Sequence, residues 1–386
     1  MAYKLNVAGR SLNLDRPLVG KVTTTAREEA ERRDYVFLDP PAAECLTGYV
    51  GALRTTSSPS GEPLPTIQSL PYRDHLEDGD IVVLNPGGLV RTLFKVGSSH
   101  NSIFTTDRCN SYCVMCSQPP KAVNDRHRIE QNLRLVELIP PETAELGITG
   151  GEPTLLGRDL LRLLDACKRH LPRTGLHMLS NGRLFAYSRL ARDLAAVEHP
   201  DLVVGIPLYA ALDFEHDFVV QARGAFEQAV LGLQNLARYD IRLELRVVIH
   251  RATYSRLLEL AEFIYRNLTF VEHVALMGLE AVGFAISNFQ DLWIDPWDYR
   301  SELEEAVDHL VSRGMNVSIY NHQLCVVPEA VWPYCRQSIS DWKNDYLSAC
   351  QQCEVKSGCC GFFASAGIRA ASRNIKPVRR LLLTPL

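Results

Sequence analysis

The sequence has no apolar run near the roughly 20 residues that a membrane-spanning helix needs. Its N-terminal stretch lacks the apolar core of a secretory signal peptide, and no internal repeat or low-complexity tract is present. A basic excess is also missing, because 41 Lys and Arg stand against 45 Asp and Glu, which disfavours non-specific binding to nucleic acid. We therefore expect a cytoplasmic protein that binds neither a membrane nor nucleic acid.

The composition is that of a globular chain with enough apolar material for a core. Of the 386 residues, 46% are hydrophobic and 22% are charged, and the length allows two or more domains. Eleven cysteines are present, three of them within 109–116 and six within 325–360. In a reducing compartment such groups indicate metal ligands or free thiols rather than disulfides.

The pattern of apolar residues divides the chain into three regions. Residues 1–97 are rich in turn residues and predict a small, mainly β region. In 98–315 strands alternate with amphipathic helices, and 316–386 is a cysteine-rich extension. The predicted strands of the middle region are Ser102–Thr106, Glu145–Thr149, Leu176–Ser180, Leu202–Pro207, Leu243–Ile249 and Val271–Met277, and a further strand is predicted at Asn316–Tyr320. Such alternation predicts an α/β fold, a partial (β/α)6 barrel whose chemistry lies on the loops that follow the strands.

Three cysteines follow the first of these strands in a C-x3-C-x2-C pattern, Cys109, Cys113 and Cys116. Three thiolates on one loop suit a four-iron cluster that keeps one iron open to bind and activate another molecule. The alternative is a structural zinc site, which requires four ligands and is typically built from paired C-x2-C elements. The local count of three favours the cluster.

The segment Gly150-Gly151-Glu152-Pro153 follows the second predicted strand. Paired glycines allow a backbone to approach a ligand closely, and the carboxylate of Glu152 suits a cationic group. On its own, this segment is more typical of a plain turn between a strand and a loop.

Together, the cysteine loop and the Gly-Gly-Glu-Pro segment resemble radical S-adenosylmethionine (SAM) enzymes over about residues 100–285. The resemblance implies that the three cysteines hold a [4Fe–4S] cluster whose open iron binds SAM. It places Glu152 near the SAM ammonium and Ser180 near the ribose. Many members have an aromatic residue where this chain has Met115, a change that an adaptable apolar side chain tolerates. The implied SAM-binding residues are Met115, Gly150, Gly151, Glu152, Pro153, Ser180, Asn181 and Arg246.

A second cysteine group lies near the C-terminus, where Cys350, Cys353 and Cys359 form a C-x2-C-x5-C pattern. It resembles the SPASM or twitch extensions of peptide-modifying radical SAM enzymes, which implies one auxiliary [4Fe–4S] cluster. We expect Cys325 as the fourth ligand, with Cys335 as the alternative, since adjacent side chains such as Cys359 and Cys360 rarely converge on one cluster. A four-cysteine zinc site also fits this spacing.

At a finer level, the order of segments resembles the HxsC group of His-Xaa-Ser system radical SAM maturases. The resembling segments are 109–120, 320–328 and 338–346. This implies a peptide substrate with His-Xaa-Ser repeats, a sister radical SAM protein and an external electron donor. Two alternatives stay open: radical SAM chemistry on a small molecule or nucleotide, and a non-catalytic zinc protein.

Overall fold

A computed structural model describes residues 5–41, 45–57, 64–337, 345–363 and 370–379. Of the segment 338–346 used for the finer resemblance, only Asp345 and Tyr346 lie within the described residues. Two sheets follow one another along the chain, an N-terminal mixed sheet and a central parallel sheet.

The N-terminal sheet confirms the expected small β region. Its order is β1-β8-β7-β3-β4-β5-β6-β2, with a parallel run from β3 to β6 and antiparallel pairs elsewhere. The strands are β1 (Asn6–Ala8), β2 (Arg10–Leu12), β3 (Leu18–Thr23), β4 (Tyr35–Leu38), β5 (Gly51–Leu53), β6 (Thr66–Gln68), β7 (Ile81–Leu84) and β8 (Leu89–Phe94). Apolar side chains from most of these strands fill its interior.

This sheet closes on itself through Gly9. The outermost strands β1 and β2 are consecutive in sequence and are separated only by Gly9, so one segment pairs with β8 on one side and with β6 on the other. A Cβ at Gly9 would lie 2.4 Å from the Gln68 carbonyl oxygen, and one at Gly88 would lie 2.1 Å from the Gly9 carbonyl oxygen. The small barrel therefore has glycine where its backbone segments approach most closely, and closure leaves no free edge between β1 and β2.

The central sheet is parallel throughout and follows chain order from β9 to β15. Its strands are β9 (Asn101–Phe104), β10 (Glu145–Thr149), β11 (Gly175–Leu179), β12 (Leu202–Pro207), β13 (Arg242–Ile249), β14 (His273–Gly278) and β15 (Val317–Tyr320). All seven overlap the predicted strands. The seventh, β15, falls in the region assigned to the C-terminal extension, yet it pairs with β14 and lengthens the sheet. The boundary between these two regions stays a prediction.

Helices connect the parallel strands and bury their apolar faces against the sheet. In α2, for example, Leu160, Leu164 and Cys167 are fully buried, so Cys167 acts as a small apolar residue. The helices are α1 (Arg128–Leu138), α2 (Arg158–His170), α3 (Ser188–Ala195), α4 (Asp213–Val220), α5 (Ala225–Arg238), α6 (Leu257–Asn267), α7 (Phe284–Ser287), α8 (Phe289–Leu292) and α9 (Arg300–Val311). None of the helices in the described ranges is long and apolar enough to cross a membrane.

The parallel sheet curves around an open lumen. A cavity of about 720 Å³ is lined by residues from all seven strands, from Asn101 on β9 to Tyr320 on β15. A sheet whose first and last strands face the same cavity must be strongly curved, and the described residues leave β9 and β15 unpaired with each other. The predicted α/β class, a partial barrel with a small β region before it and cysteine-rich residues after it, is therefore confirmed.

Two neighbouring glycines give a test of barrel closure. Gly88 has a positive φ of 83° and no room for a Cβ, whereas nothing lies within 4 Å of a Cβ at Gly87. We expect Gly88→Ala to lower the free energy of unfolding by at least about 2 kcal/mol, through the clash and the backbone strain. Gly87→Ala should stay within about 0.5 kcal/mol of the parent. Denaturant unfolding checks this, and equal stability of the two variants would contradict the closure.

Candidate active site

The cysteine loop lies at the C-terminal edge of the parallel sheet, directly after β9. Its backbone is held from two sides. The amide of Val114 donates to the Val219 carbonyl at the end of α4 (2.9 Å), and the amide of Phe284 in α7 donates to the Cys116 carbonyl (2.9 Å). Elements far apart in sequence thus fix the loop that presents Cys109, Cys113 and Cys116.

The glycine pair after β10 supports this loop. The Gly151 amide donates to the Thr106 carbonyl (2.6 Å), and the Glu152 amide donates to the Arg108 carbonyl (2.8 Å). A Cβ at Gly151 would lie 2.1 Å from the Arg108 carbonyl oxygen, and Gly150 has a φ of 152°. The paired glycines therefore let the backbone after β10 approach the start of the protein's own cysteine loop closely.

Glu152 is fully buried and ties the ends of two strands together. Its Oε1 accepts hydrogen bonds from the Thr154 backbone (3.0 Å) and from the Ser180 hydroxyl (2.8 Å), and its Oε2 accepts one from the Asn181 amide (2.7 Å). Burial raises the pKa of this carboxyl above its usual value, and the hydrogen bonds from these donors offset only part of that rise. Glu152 and Ser180, expected at different parts of SAM, thus contact each other directly, and their SAM contacts stay predictions.

Asn181 connects this carboxylate to the cysteine loop. Its side-chain oxygen accepts a hydrogen bond from the Arg183 amide (3.1 Å), which fixes the orientation of the side-chain amide. The Nδ2 group then donates to Asn110 Oδ1 (2.6 Å) and approaches Cys109 Sγ at 3.8 Å. Asn181 therefore lies beside a predicted cluster ligand, and its expected contact with SAM stays a prediction.

Two further residues of the predicted site, Met115 and Pro153, have roles in packing and in the backbone conformation. Met115 is buried in an apolar cluster with Tyr209, Val219 and Ala285 beneath the cysteine loop. Pro153 is the first residue of a short 3-10 turn, Pro153–Leu156, whose N-terminus is capped by Glu152. Pro is favoured at this position because its missing N–H would have no partner there.

The part of the chain that carries this geometry matches a known family. Residues 103–264, from β9 into α6, match the model of the radical SAM superfamily. The middle of this chain is therefore similar to the radical SAM superfamily. No curated protein matches the chain.

Two solved structures are similar to this chain at low identity. Streptococcus suis SuiB is 15% identical, with 63% of this chain and 52% of SuiB covered and a TM-score of 0.44, and it was also solved with its precursor peptide SuiA. The structure of anSMEcpe with bound AdoMet is 15% identical, with 56% and 62% covered and a TM-score of 0.44. The chain therefore spans less than two thirds of each of these proteins.

The radical SAM family implies a [4Fe–4S] cluster and SAM, and the donor set at the loop fits the cluster. Burial, followed by the neighbouring Cys116 and Cys109, raises the pKa of Cys113 to about 12. Burial is also the main cause that raises the pKa of Cys109 and of Cys116. Thiols packed this closely ionise with difficulty alone, whereas bound iron supplies the positive charge that stabilises thiolates.

Four of the six C-terminal cysteines share one cavity. Cys325, Cys350, Cys353 and Cys359 line one small, largely apolar cavity. Cys335 lies outside its lining and directs its thiol to the Val331 carbonyl at 3.6 Å. The placement agrees better with Cys325 than with Cys335 as the fourth ligand, although the ligand set stays a prediction. The described residues hold no group of three or more His, Cys, Asp or Glu arranged for a single metal ion.

Arg246, predicted as a SAM contact, lies on β13 and faces the lumen. Its guanidinium donates to Glu244 Oε1 at 2.6 Å, and Glu244 Oε2 lies 2.8 Å from Nδ1 of His273. Hydrogen bonds from histidines, with the charge of Arg246, hold the pKa of Glu244 far below its usual value despite burial. The alternating polar residues of β13, Arg242, Glu244 and Arg246, are the sequence signal for this lumen face.

Several residues that position the loop were not found from the sequence. Arg183 donates to the Asn110 carbonyl and to the Ser111 hydroxyl, and Asn288 donates to the Val114 carbonyl (2.7 Å). A Cβ at Gly283 would lie 2.3 Å from the Cys116 carbonyl oxygen. These contacts join segments about 70 to 170 residues apart in the chain, and no local pattern marks them.

His250 follows β13 and lies behind Tyr209, with ring centroids 6.4 Å apart. It is fully buried, and neither ring nitrogen has a hydrogen-bond partner among the described residues. Burial lowers the pKa of His250 to about 4. The folded protein therefore resists protonation at this ring, and the unfolded chain gains the proton first as the pH falls below about 6.5.

We expect His250→Phe to make the protein less sensitive to acid. The contribution of the neutral ring to the free energy of unfolding has its full value above about pH 6.5. It falls by about 1.4 kcal/mol per pH unit between about pH 6.5 and 4. Relative to its own value at pH 7, the variant should keep about 2 kcal/mol more at pH 5. Denaturant unfolding at several pH values measures this, with the exposed His170→Gln as control. Parallel pH profiles for parent and His250→Phe would contradict the assignment.

Proposed function

We propose that this protein is a radical SAM enzyme that modifies a peptide. The observation that carries the proposal is that the glycine pair and Glu152 are hydrogen-bonded to the start of the cysteine loop, directly after β9 and β10, two strands that line a cavity of about 720 Å³. Cys109, Cys113 and Cys116 would hold the [4Fe–4S] cluster, and the segments that contain Glu152 and Asn181 would lie next to SAM. When bound, the cluster and SAM supply a 5′-deoxyadenosyl radical, which abstracts hydrogen from an unactivated carbon.

The protein's own residues give this chemistry a fixed and sheltered place. The hydrogen bonds of Gly151, Glu152 and Asn181 position the cysteine loop against the ends of β10 and β11. Apolar packing around Met115 and Tyr209 excludes water behind the loop. The lumen below offers a volume in the range of small-molecule pockets, which suits a side chain of a larger substrate.

For the substrate, we infer a peptide with His-Xaa-Ser repeats, modified by a crosslink or another oxidative change. This rests on the order of segments in the sequence and on the C-terminal cysteines, four of which line one cavity. That group would hold one auxiliary [4Fe–4S] cluster that accepts an electron from the substrate or binds it. A sister radical SAM protein and an external electron donor would complete the system.

SAM cleavage by the anaerobically loaded protein tests the radical chemistry. With dithionite and SAM, the parent should release 5′-deoxyadenosine, and Cys109→Ala, Cys113→Ala and Cys116→Ala should each abolish it, because the cluster loses a ligand. Cys45→Ser is the matched control, since Cys45 is exposed and far from both groups in sequence. No product from fully loaded parent protein would refute the proposal.

A second arm of the same assay tests the substrate. The parent is co-expressed with a His-Xaa-Ser peptide, and mass spectrometry should detect a loss of hydrogen that requires Cys109. An unmodified peptide, with 5′-deoxyadenosine still produced, would leave the radical chemistry standing and refute the peptide assignment.

Iron content distinguishes the auxiliary ligands. If Cys325 completes the C-terminal set, Cys325→Ala should lose about four irons per chain, the content of one cluster, whereas Cys335→Ala should keep them. Both thiols are half-buried, so the two variants are comparable in packing. Iron and sulfide analysis after anaerobic reconstitution gives the result, and a loss confined to Cys335→Ala would reverse the assignment.

A further inference from the structure

Arg183 places a positive charge beside the cysteine loop. It stands after β11, at the start of a short 3-10 turn. Its NH1 group donates to the Asn110 carbonyl and to the Ser111 hydroxyl, the latter at 3.1 Å. These two residues lie between Cys109 and Cys113, so the guanidinium contacts the backbone that connects two predicted cluster ligands.

The contacts of Arg183 leave its charge without a counter-charge. Its Nε donates to the side-chain oxygen of Gln228 at 2.7 Å, so this acceptor and the two at NH1 are all neutral groups. Arg108, which precedes the first cysteine of the loop, is instead paired with the Asp125 carboxylate at 3.3 Å. Within the described ranges Arg183 forms no such ion pair, and it is half-buried, so solvent and salt screen its charge only partly.

The charge of Arg183 acts on the thiols of the loop in two ways. Burial, followed by the neighbouring thiols, raises the pKa of Cys113, and the charge of Arg183 offsets part of that rise. Burial also raises the pKa of Cys109, and the hydrogen bond from the Ser111 amide lowers it in part. That amide and the Asn110 carbonyl belong to one peptide group. A cation on the carbonyl polarises the group and makes its N–H a stronger donor to the sulfur.

An opposite charge lies on the other side of the loop. Glu152 is fully buried, and its charge adds to burial in raising the pKa of Cys109. A reduced [4Fe–4S] cluster has one more negative charge than an oxidised one, and its potential depends on nearby charge and on hydrogen bonds to its sulfurs. The carboxylate therefore opposes the uptake of an electron at the loop, and Arg183 favours it.

We propose that Arg183 is a positioning residue that raises the reduction potential of the cluster held by the cysteine loop. The inference rests on the proposed function and concerns its first step, the transfer of one electron from the external donor to the cluster. The guanidinium stabilises the added negative charge directly and through the polarised peptide of Asn110 and Ser111. Without Arg183, the reduction that precedes SAM cleavage becomes less favourable.

A redox titration of the anaerobically reconstituted protein tests this and needs no SAM cleavage. Dithionite supplies the electrons, and electron paramagnetic resonance measures the reduced cluster. The signal that changes when SAM is added to a separate sample belongs to the cysteine loop, because the open iron of that cluster binds SAM. At the midpoint potential of the parent, Arg183→Gln should lower the ratio of reduced to oxidised cluster about tenfold, a shift of about 59 mV for one electron.

The conservative variant separates charge from structure. Arg183→Lys keeps the positive charge and should recover most of the ratio that Arg183→Gln loses, because a purely structural role would depend on the shape of the guanidinium. An unchanged ratio in Arg183→Gln, or an equal fall in Arg183→Lys, would overturn the inference.

Gln228→Glu gives a second test that leaves the contacts with the loop in place. The new carboxylate would accept the same hydrogen bond from Nε and neutralise the guanidinium, while NH1 keeps its contacts with Asn110 and Ser111. The ratio should fall in the same direction as in Arg183→Gln. This variant decides the question if Arg183→Gln does not retain its iron. An unchanged ratio in Gln228→Glu would then assign Arg183 a purely structural role and overturn the inference.

Arg169→Gln is the matched control for net charge. Arg169 is 62% exposed at the end of α2, just before β11 begins, and so lies at the opposite edge of the sheet from the cysteine loop. Its loss should leave the ratio unchanged, and a fall equal to that in Arg183→Gln would overturn the inference. A parent protein without a reducible cluster would refute the proposed function as well, whereas a reducible cluster with an unchanged potential refutes only the role of Arg183.

Discussion

The buried carboxylate of Glu152 is the interaction on which the site depends. It joins the turn after β10 to the end of β11, while its backbone amide bonds to Arg108 at the start of the cysteine loop. Burying a carboxylate without donors is costly, so the turn after β10 and the end of β11 stabilise this group only when they meet in one arrangement. One residue, through its side chain and its backbone amide, thereby couples the ends of three parallel strands to the start of the cysteine loop.

The cysteine loop needs this support because it has no regular structure of its own. Its carbonyl and amide groups are satisfied by α4, by α7 and by the glycine pair, and each contact requires a close backbone approach. Gly151 and Gly283 stand on opposite sides of the loop, where a Cβ would collide with the Arg108 or Cys116 carbonyl. Thiols intended for one cluster must be held before the metal arrives, and these contacts hold them.

Small residues and polar residues have different roles in the lumen. Glycines and Ser102 on β9 to β12 leave space, and the polar face of β13 places charge inside it. The ion pair of Glu244 and Arg246 is held by His273 and is therefore preorganised before any ligand enters. The closed N-terminal barrel packs against α1 through β3 and β7, outside this lumen. Apolar residues of these two strands belong to the same core cluster as those of the parallel sheet.

The sequence by itself determined the α/β class and the seven strands of the parallel sheet, because periodicity is a local property. Motif spacing is local too, and it predicts Cys109, Cys113, Cys116 and Glu152 as site residues. Only the tertiary structure decided that Glu152 bonds to Ser180 and Asn181, that β15 extends the sheet, and that Cys325 rather than Cys335 lines the second cavity. These depend on contacts between distant segments, which chain order alone leaves open. Barrel closure at Gly9 is of the same kind, since the glycine is required by strands that lie about 60 and 80 residues away.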